Sequence, residues 1–274
     1  MPESATVGHA VIRRFYRIDS SGEPRDVVEE AGEWRFVEGD IFGKYEKGDR
    51  IESSGQVLLA PVMPSKIVCV GLNYKNHAAE QNKPLPAEPM IFIKPSTCVI
   101  GPGELIVLPA GVGRVDHEAE AAVVIGHRAS SVTEEDAHRF VFGMTCMNDV
   151  TARALQDRNV GYTRAKGFDS FAPLGPCIAQ GLDFGSTSGL TVEGWVNGVK
   201  RQSSSTRELI FPIPRLIAFI SSIMTLLPGD IISTGTPSGV GPLQSGDRVT
   251  IKVEGVGELT NVVGTRGSGL GARG

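Results

Sequence analysis

Five apolar residues in a row, Ala121-Ala122-Val123-Val124-Ile125, follow directly on a segment that carries two glutamates, Val115-Asp116-His117-Glu118-Ala119-Glu120. An unbroken β-rich run of this kind has no polar face to turn to water, so it belongs to a strand covered on both sides. Side chains alternate along a strand. Glu118 and Glu120 therefore project to the same side as Ala122 and Val124, and two like charges sit together at the edge of a core. Two carboxylates so placed must share a proton, meet cations or bind a metal ion. The strand supplies no Lys or Arg on that face, since Arg114 comes before it. The competing reading is an exposed strand end with solvated glutamates.

The surrounding text suits a turn-rich β protein. Among 274 residues there are 34 Gly and 17 Pro, and a hydrophobic share of 41% against 21% charged excludes a disordered chain. With 27 basic and 31 acidic residues the net charge is −4, which leaves no cationic excess to hold a phosphate backbone, so nucleic acid is not an expected partner. Cys69, Cys98, Cys146 and Cys177 form no C-x-x-C pair, and zinc clusters and redox motifs go unsupported. The longest apolar region, Leu216 to Leu227, is interrupted by Ser221, Ser222 and Thr225 and falls short of the ~20 residues that cross a bilayer. No membrane partner is expected. Met1 to Ala10 lacks a basic region followed by an apolar run, which points to the cytoplasm.

Residues 1–60 read as a small N-terminal domain of short antiparallel strands, with turn signals at Ser20-Ser21-Gly22, Glu38-Gly39-Asp40 and Lys47-Gly48-Asp49. The proline-bracketed Ala60-Pro61-Val62-Met63-Pro64 marks the boundary to a second domain, residues 61–274. Helices are few. Thr133 and Asp136 look like a cap, with Gly143 closing the segment. Pro214 opens a helix over Arg215 to Leu227, with Leu216, Ile220, Ile223 and Leu227 on one face. Strands are expected over Asp230 to Ser233, Arg248 to Val253 and Leu259 to Val263. The Gly-rich tail from Gly264 is expected to fray, and its G-x-G-x-x-G match at Gly269 to Gly274 has no helix after it to hold a pyrophosphate. Thr234-Gly235-Thr236-Pro237-Ser238-Gly239 resembles a phosphate loop in composition only.

A third carboxylate, Asp149, follows the apolar strand Val141 to Met147. An Asp at a strand-to-helix junction is also an ordinary cap. If a short helix starts there, Arg153 and Gln156 share its face. Three carboxylates without Cys or His call for a hard cation, Mg²⁺ or Mn²⁺ before Zn²⁺. In Gly71-Leu-Asn-Tyr-Lys-Asn-His77-Ala-Ala-Glu80-Gln81, His77 and Glu80 are i, i+3 neighbours in a helical turn, so a carboxylate can orient an imidazole as a general base. A surface His–Glu pair is the alternative, and Lys166 alone would be an ordinary loop lysine.

Taken in order, G-L-N-Y-K-N-H-A-A-E, I-F-I-K-P-S (Ile91 to Ser96), E-A-E (Glu118 to Glu120), N-D-V-T-A-R-A-L-Q (Asn148 to Gln156), A-K-G-F-D (Ala165 to Asp169) and T-G-T-P-S-G-V-G (Thr234 to Gly241) resemble the fumarylacetoacetate hydrolase family over nearly all of residues 61–263. The resemblance implies an α+β, mostly β fold: a mixed β-sandwich roll with few short helices behind a small N-terminal domain, usually a homodimer. It implies Glu118, Glu120 and Asp149 as ligands of Mg²⁺ or Mn²⁺, and His77 and Glu80 as a dyad on a flap near the metal. Lys166 matches a substrate-polarising lysine, Arg153 and Gln156 match positions near the bound acid, and Thr236 matches a threonine contacting the substrate carboxylate. His117 departs from the aromatic or aliphatic residue expected there; by strand alternation it points away from the metal. The implied substrate is a small 2-oxo carboxylic acid whose enolate charge the metal stabilises. Hydrolysis of a C–C bond in an acylpyruvate is the leading expectation. Oxaloacetate decarboxylation and isomerisation of 2-hydroxyhepta-2,4-diene-1,7-dioate follow it. A catalytically silent metal and 2-oxo acid binding protein is the rival from another class.

Overall fold

Alternation along the strand Ala119–Ile125 organises the molecule. Ala121, Val123 and Ile125 enter one buried apolar cluster, and Ala122 and Val124 enter another on the opposite face. The computed structural model describes residues 11–157, 161–185 and 189–266, so the Gly269 to Gly274 motif and most of the fraying tail lie outside the described residues. The fold is α+β and mostly β.

Ala119–Ile125 lies inside a twelve-stranded sheet, between Val141–Asn148 and Ile231–Ser233, with Ile67–Gly71 and Met90–Lys94 beyond the latter. On the other side the sheet runs from Val141–Asn148 through Ala172–Gln180 to Arg13–Ser20, Glu23–Glu30, Glu33–Gly39 and Tyr45–Ile51. Through the pairing of Arg13–Ser20 with Ala172–Gln180 the N-terminal strands continue the large sheet. Most neighbours are antiparallel, but Ile231–Ser233 runs parallel to Ile67–Gly71. Both chains therefore leave the sheet at the same end, and the loops that follow lie side by side.

A five-stranded sheet of Val199–Ser205, Thr191–Val196, Arg248–Val253, Gly257–Thr265 and Leu105–Leu108 packs on one face. Val192, Val249, Ile251 and Leu259 from it meet Ala121, Val123, Met144 and Ala179 of the large sheet, as inward residues of two stacked sheets do. A small third sheet joins Thr151–Ala152, Val115–His117 and Gly241–Pro242. The other face of the large sheet packs Phe15, Val28, Ile67, Cys69, Phe92, Leu174 and Ile231 against Ala122 and Val124.

Two local expectations are corrected. Gly143 does not end a helix; a short 3-10 turn covers Ala137–Phe140, and Gly143 sits inside the strand Val141–Asn148. A Cβ there would lie 2.5 Å from the Ala179 carbonyl oxygen, so the glycine lets two strands approach beside a register shift. The apolar helix spans Ile213–Ile223, with Pro214 in its first turn, and stops four residues before Leu227. Ile213, Leu216, Ile217 and Ile220 are buried, whereas Ile223 is 56% exposed. Among the described residues no helix is long and apolar enough to cross a membrane.

Two isoleucines of that helix, Ile220 and Ile223, separate core from surface. Ile220→Ala is expected to cost about 2–5 kcal/mol in urea denaturation through transfer and cavity terms, and Ile223→Ala to stay within roughly 0.5 kcal/mol of the parent.

Candidate active site

Strand register builds the acidic centre. Ala119 pairs with Asn148 and Glu120 with Met147, so Glu118 and Asp149 come face to face as the two strands part. The Asn148 side chain accepts from the Glu118 amide at 3.0 Å, and the Asp149 amide donates to the Glu118 carbonyl at 2.9 Å. Glu118, Glu120 and Asp149 are all buried, and each offers an oxygen within 4.8 Å of the others. Asp149 is not on the helix expected to begin there. The helix spans Arg153–Asp157, and the short strand Thr151–Ala152 intervenes. The Asp149 carboxylate turns instead into the cluster.

Cations answer these charges from elsewhere in the chain. Lys166, at the end of the helix Tyr162–Lys166, donates to Glu118 Oε2 at 2.7 Å and to Asp149 Oδ2 at 2.5 Å. Lys94, fully buried at the end of Met90–Lys94, donates to Asp149 Oδ1 at 2.5 Å and to the Phe171 carbonyl at 2.7 Å. Arg153 donates to Glu118 Oε1 at 2.5 Å and to Asp116 Oδ2 at 2.9 Å, and also bonds the Gln156 amide oxygen. Arg114 supplies Asp116 with a second guanidinium.

Burial pushes the Glu118 carboxyl up, but Lys166 and Arg153 outweigh it and hold the group at about 2. Glu120 differs. It accepts from the Ser233 hydroxyl at 2.5 Å and the Gly235 amide at 2.8 Å, both neutral donors. Burial, with the charges of Asp149 and Glu118 beside it, raises it to about 8. Arg114 and Arg153 pair with Asp116, Arg153 and Lys166 with Glu118, and Lys166 and Lys94 with Asp149, so that among the described residues Glu120 is the member of the triad with no cation paired to it. An all-oxygen donor set short of positive charge fits a hard divalent cation.

The loop and helix after Ile67–Gly71 carry the second group. In the helix Lys75–Glu80, His77 Nδ1 lies 2.8 Å from Glu80 Oε2, and Gln81 Nε2 lies 2.7 Å from His77 Nε2. The other Glu80 oxygen accepts from the Gly239 amide at 3.0 Å, which clasps this helix to the loop after Ile231–Ser233. Gly239 has φ +95° and lies so close to the Arg201 carbonyl that no side chain fits. Asn73 ties the same two segments, donating to the Thr234 and Phe211 carbonyls.

All nine residues named from the sequence, His77, Glu80, Glu118, Glu120, Asp149, Arg153, Gln156, Lys166 and Thr236, line one cavity of about 880 Å³. His117 is buried but turned away from the acids, bonding Gln202. Lys94, Asp116 and Gln202 were not foreseen as site residues. Lys94 had one signal, a lone ammonium ending an apolar strand just before a proline; Gln202 had none.

Comparison with known proteins agrees with this geometry. Residues 66–264 match the family model described as fumarylacetoacetate (FAA) hydrolase C-terminal, and the chain belongs to the fumarylacetoacetate hydrolase family. It is 40% identical over 245 residues to the oxaloacetate tautomerase YisK of Bacillus subtilis, spanning 85% of this chain and 80% of that protein. The crystal structure of 2-hydroxyhepta-2,4-diene-1,7-dioate isomerase from Mycobacterium marinum superposes with a TM-score of 0.85 at 38% identity, covering 93% of this chain and 99% of that one. Maleylpyruvate hydrolase from Sphingobium sp. SYK-6, in complex with manganese(II) and pyruvate, superposes with a TM-score of 0.77 at 32% identity, over 92% of this chain and 99% of that one. These relatives make the family one of enzymes, with several reactions on related acids.

Two outcomes test the electrostatics. Lys94→Met strips Asp149 of one buried cation and is expected to cost about 3 kcal/mol in denaturation at pH 7. Between the ordinary carboxyl value of 4.5 and about 8, folded Glu120 keeps a proton that the unfolded chain has released. In protein kept in EDTA, stability is therefore expected to fall as pH rises across that window. Glu120→Gln should remove that part of the slope.

Proposed function

We propose that this protein moves a proton next to the carbonyl of a small 2-oxo dicarboxylic acid, as in keto–enol tautomerisation of oxaloacetate. Glu118, Glu120 and Asp149 would hold Mg²⁺ or Mn²⁺. The observation that carries this reading is the His77–Glu80 pair, joined at 2.8 Å and lining the same cavity as the three carboxylates. The relative named oxaloacetate tautomerase supports it.

When bound, the divalent ion supplies Lewis-acid charge for the acid's carboxylate and 2-oxo oxygens. The chain's own residues do the rest. Lys166 adds a buried ammonium whose proton is held more tightly than usual, because the charges of Asp149 and Glu118 outweigh the cost of its burial. It therefore stays a cation and steadies negative charge on the substrate. Arg153 and Gln156, bonded to each other on the cavity wall, present donors to the acid. Glu80 accepts the Nδ1 proton of His77, so the lone pair is on Nε2. That nitrogen takes the proton from C3 of the keto form and returns it to the 2-oxo oxygen, once Gln81 yields its bond. The reverse transfer regenerates the ketone.

Acylpyruvate hydrolysis is the second reading. The same cavity is also lined by Leu72, Pro86, Met90, Phe92 and Val240, apolar side chains suited to an acyl tail, and the maleylpyruvate hydrolase neighbour supports it. There the dyad would take its proton from water.

The test is an assay with Mg²⁺ or Mn²⁺ on enol-oxaloacetate, acetylpyruvate and a hydroxy-dienoate, each repeated in EDTA. Faster ketonisation of oxaloacetate, lost in EDTA and reduced at least about 100-fold in Glu80→Gln, is the expected result. Turnover of acetylpyruvate alone would replace tautomerisation with hydrolysis. Oxalate binding by calorimetry without turnover of any of the three would favour the binding protein.

A further inference from the structure

Gln202 is 1% exposed on the strand Val199–Ser205 of the five-stranded sheet, and its amide reaches across to the site. The orientation of that amide is fixed by main-chain partners. The Ala119 N–H can only donate, so the oxygen 2.9 Å from it is Oε1. The Pro237 carbonyl can only accept, so the atom 2.8 Å from it is Nε2. Nε2 also donates to Thr236 Oγ1 at 2.8 Å.

This settles where the Thr236 hydroxyl proton goes. Oγ1 lies 3.0 Å from the Ala119 carbonyl, which can only accept, so the single proton is given there. One lone pair is taken by Gln202. The hydroxyl has no proton left for an acid in the cavity. The Thr236 peptide N–H, in contrast, makes no hydrogen bond among the described residues.

We infer that Gln202 is a positioning residue: it locks the Thr236 hydroxyl to the strand between Glu118 and Glu120, so that Thr236 meets a bound carboxylate through its main chain. The inference rests on the proposed 2-oxo acid site. The same amide also holds Pro237, and two residues later Gly239 donates to Glu80. Loop, ligand strand and dyad thereby share one reference point on the second sheet.

The test compares affinities by calorimetry, using Mg²⁺ alone and then oxalate with saturating Mg²⁺. Gln202→Leu is expected to weaken oxalate roughly tenfold while Mg²⁺ affinity stays within about twofold, because Asn148 and Ser233 still hold the ligands. A merely structural role would lower both. Thr236→Val should lose as much as Gln202→Leu, Thr236→Ser should recover most of that loss, and the double variant should be no weaker than the worse single one. Losses that multiply would show that the hydroxyl binds the acid directly, and either that result or unchanged oxalate affinity in Gln202→Leu would overturn the assignment. If Gln202→Leu fails to fold, Gln202→Glu keeps the volume and the acceptor, removes the donor, and carries the same expectation. No oxalate binding by the unaltered protein would sink the site reading, and this inference with it; normal binding with unaffected variants would sink only this inference.

Discussion

Three carboxylates held within 4.8 Å of one another, away from water, are the constraint on which the structure turns. At an effective dielectric of about 20, two such charges repel by roughly 3 to 4 kcal/mol, before the cost of removing each from water. The chain does not spread that load evenly. Asp149 has two ammoniums and Glu118 shares an ammonium and a guanidinium, while among the described residues Glu120 has a hydroxyl and a peptide N–H as its hydrogen-bond donors. The result is one carboxyl well below its ordinary value beside one well above it. A divalent cation would relieve the group that the protein's own cations leave short.

Sheet architecture is what allows such a cluster to be built. Glu118, Asp149 and Lys94 each stand at the end of a strand or just past it, where ladder pairing fixes the backbone and the side chain leaves the ordered edge. The parallel run of Ile231–Ser233 beside Ile67–Gly71 then brings two loops out together. One carries Gly235 and Thr236, the other leads into the helix with His77 and Glu80. Helices serve the site as short single turns, and the long apolar helix Ile213–Ile223 serves the core.

What was legible in the sequence followed from local periodicity. A period of two put Glu118 and Glu120 on one side of a buried strand, and a spacing of three joined His77 to Glu80. The helix read from Asp149 failed because the chain bonds Glu118 and adds two strand residues before turning helical. Asp149 reached the cluster by register, not by a helical face. Lys94, Asp116 and Gln202 are missed for a related reason: the partners that tie them to the site lie 55, 37 and 34 residues away, across pairings that no local pattern encodes. The order of six motifs carried the family, and local physics carried only its parts.

The dyad's two ends see different surroundings, which bears on the proposed proton transfer. The His77 side chain is 6% exposed and the Glu80 side chain 40%. In the proposed transfer the imidazole would exchange its proton with the substrate where solvent scarcely reaches, as a tautomerase or isomerase requires. Glu80 can meet water on the outer side of the same pair. Hydrolysis would demand a water inside, between the imidazole and the substrate carbonyl, in space that the Gln81 amide now shares with Nε2. Gln81 is therefore the side chain whose displacement differs between the two reactions: a proton shuttle needs it to yield one hydrogen bond, and hydrolysis needs it to yield its place.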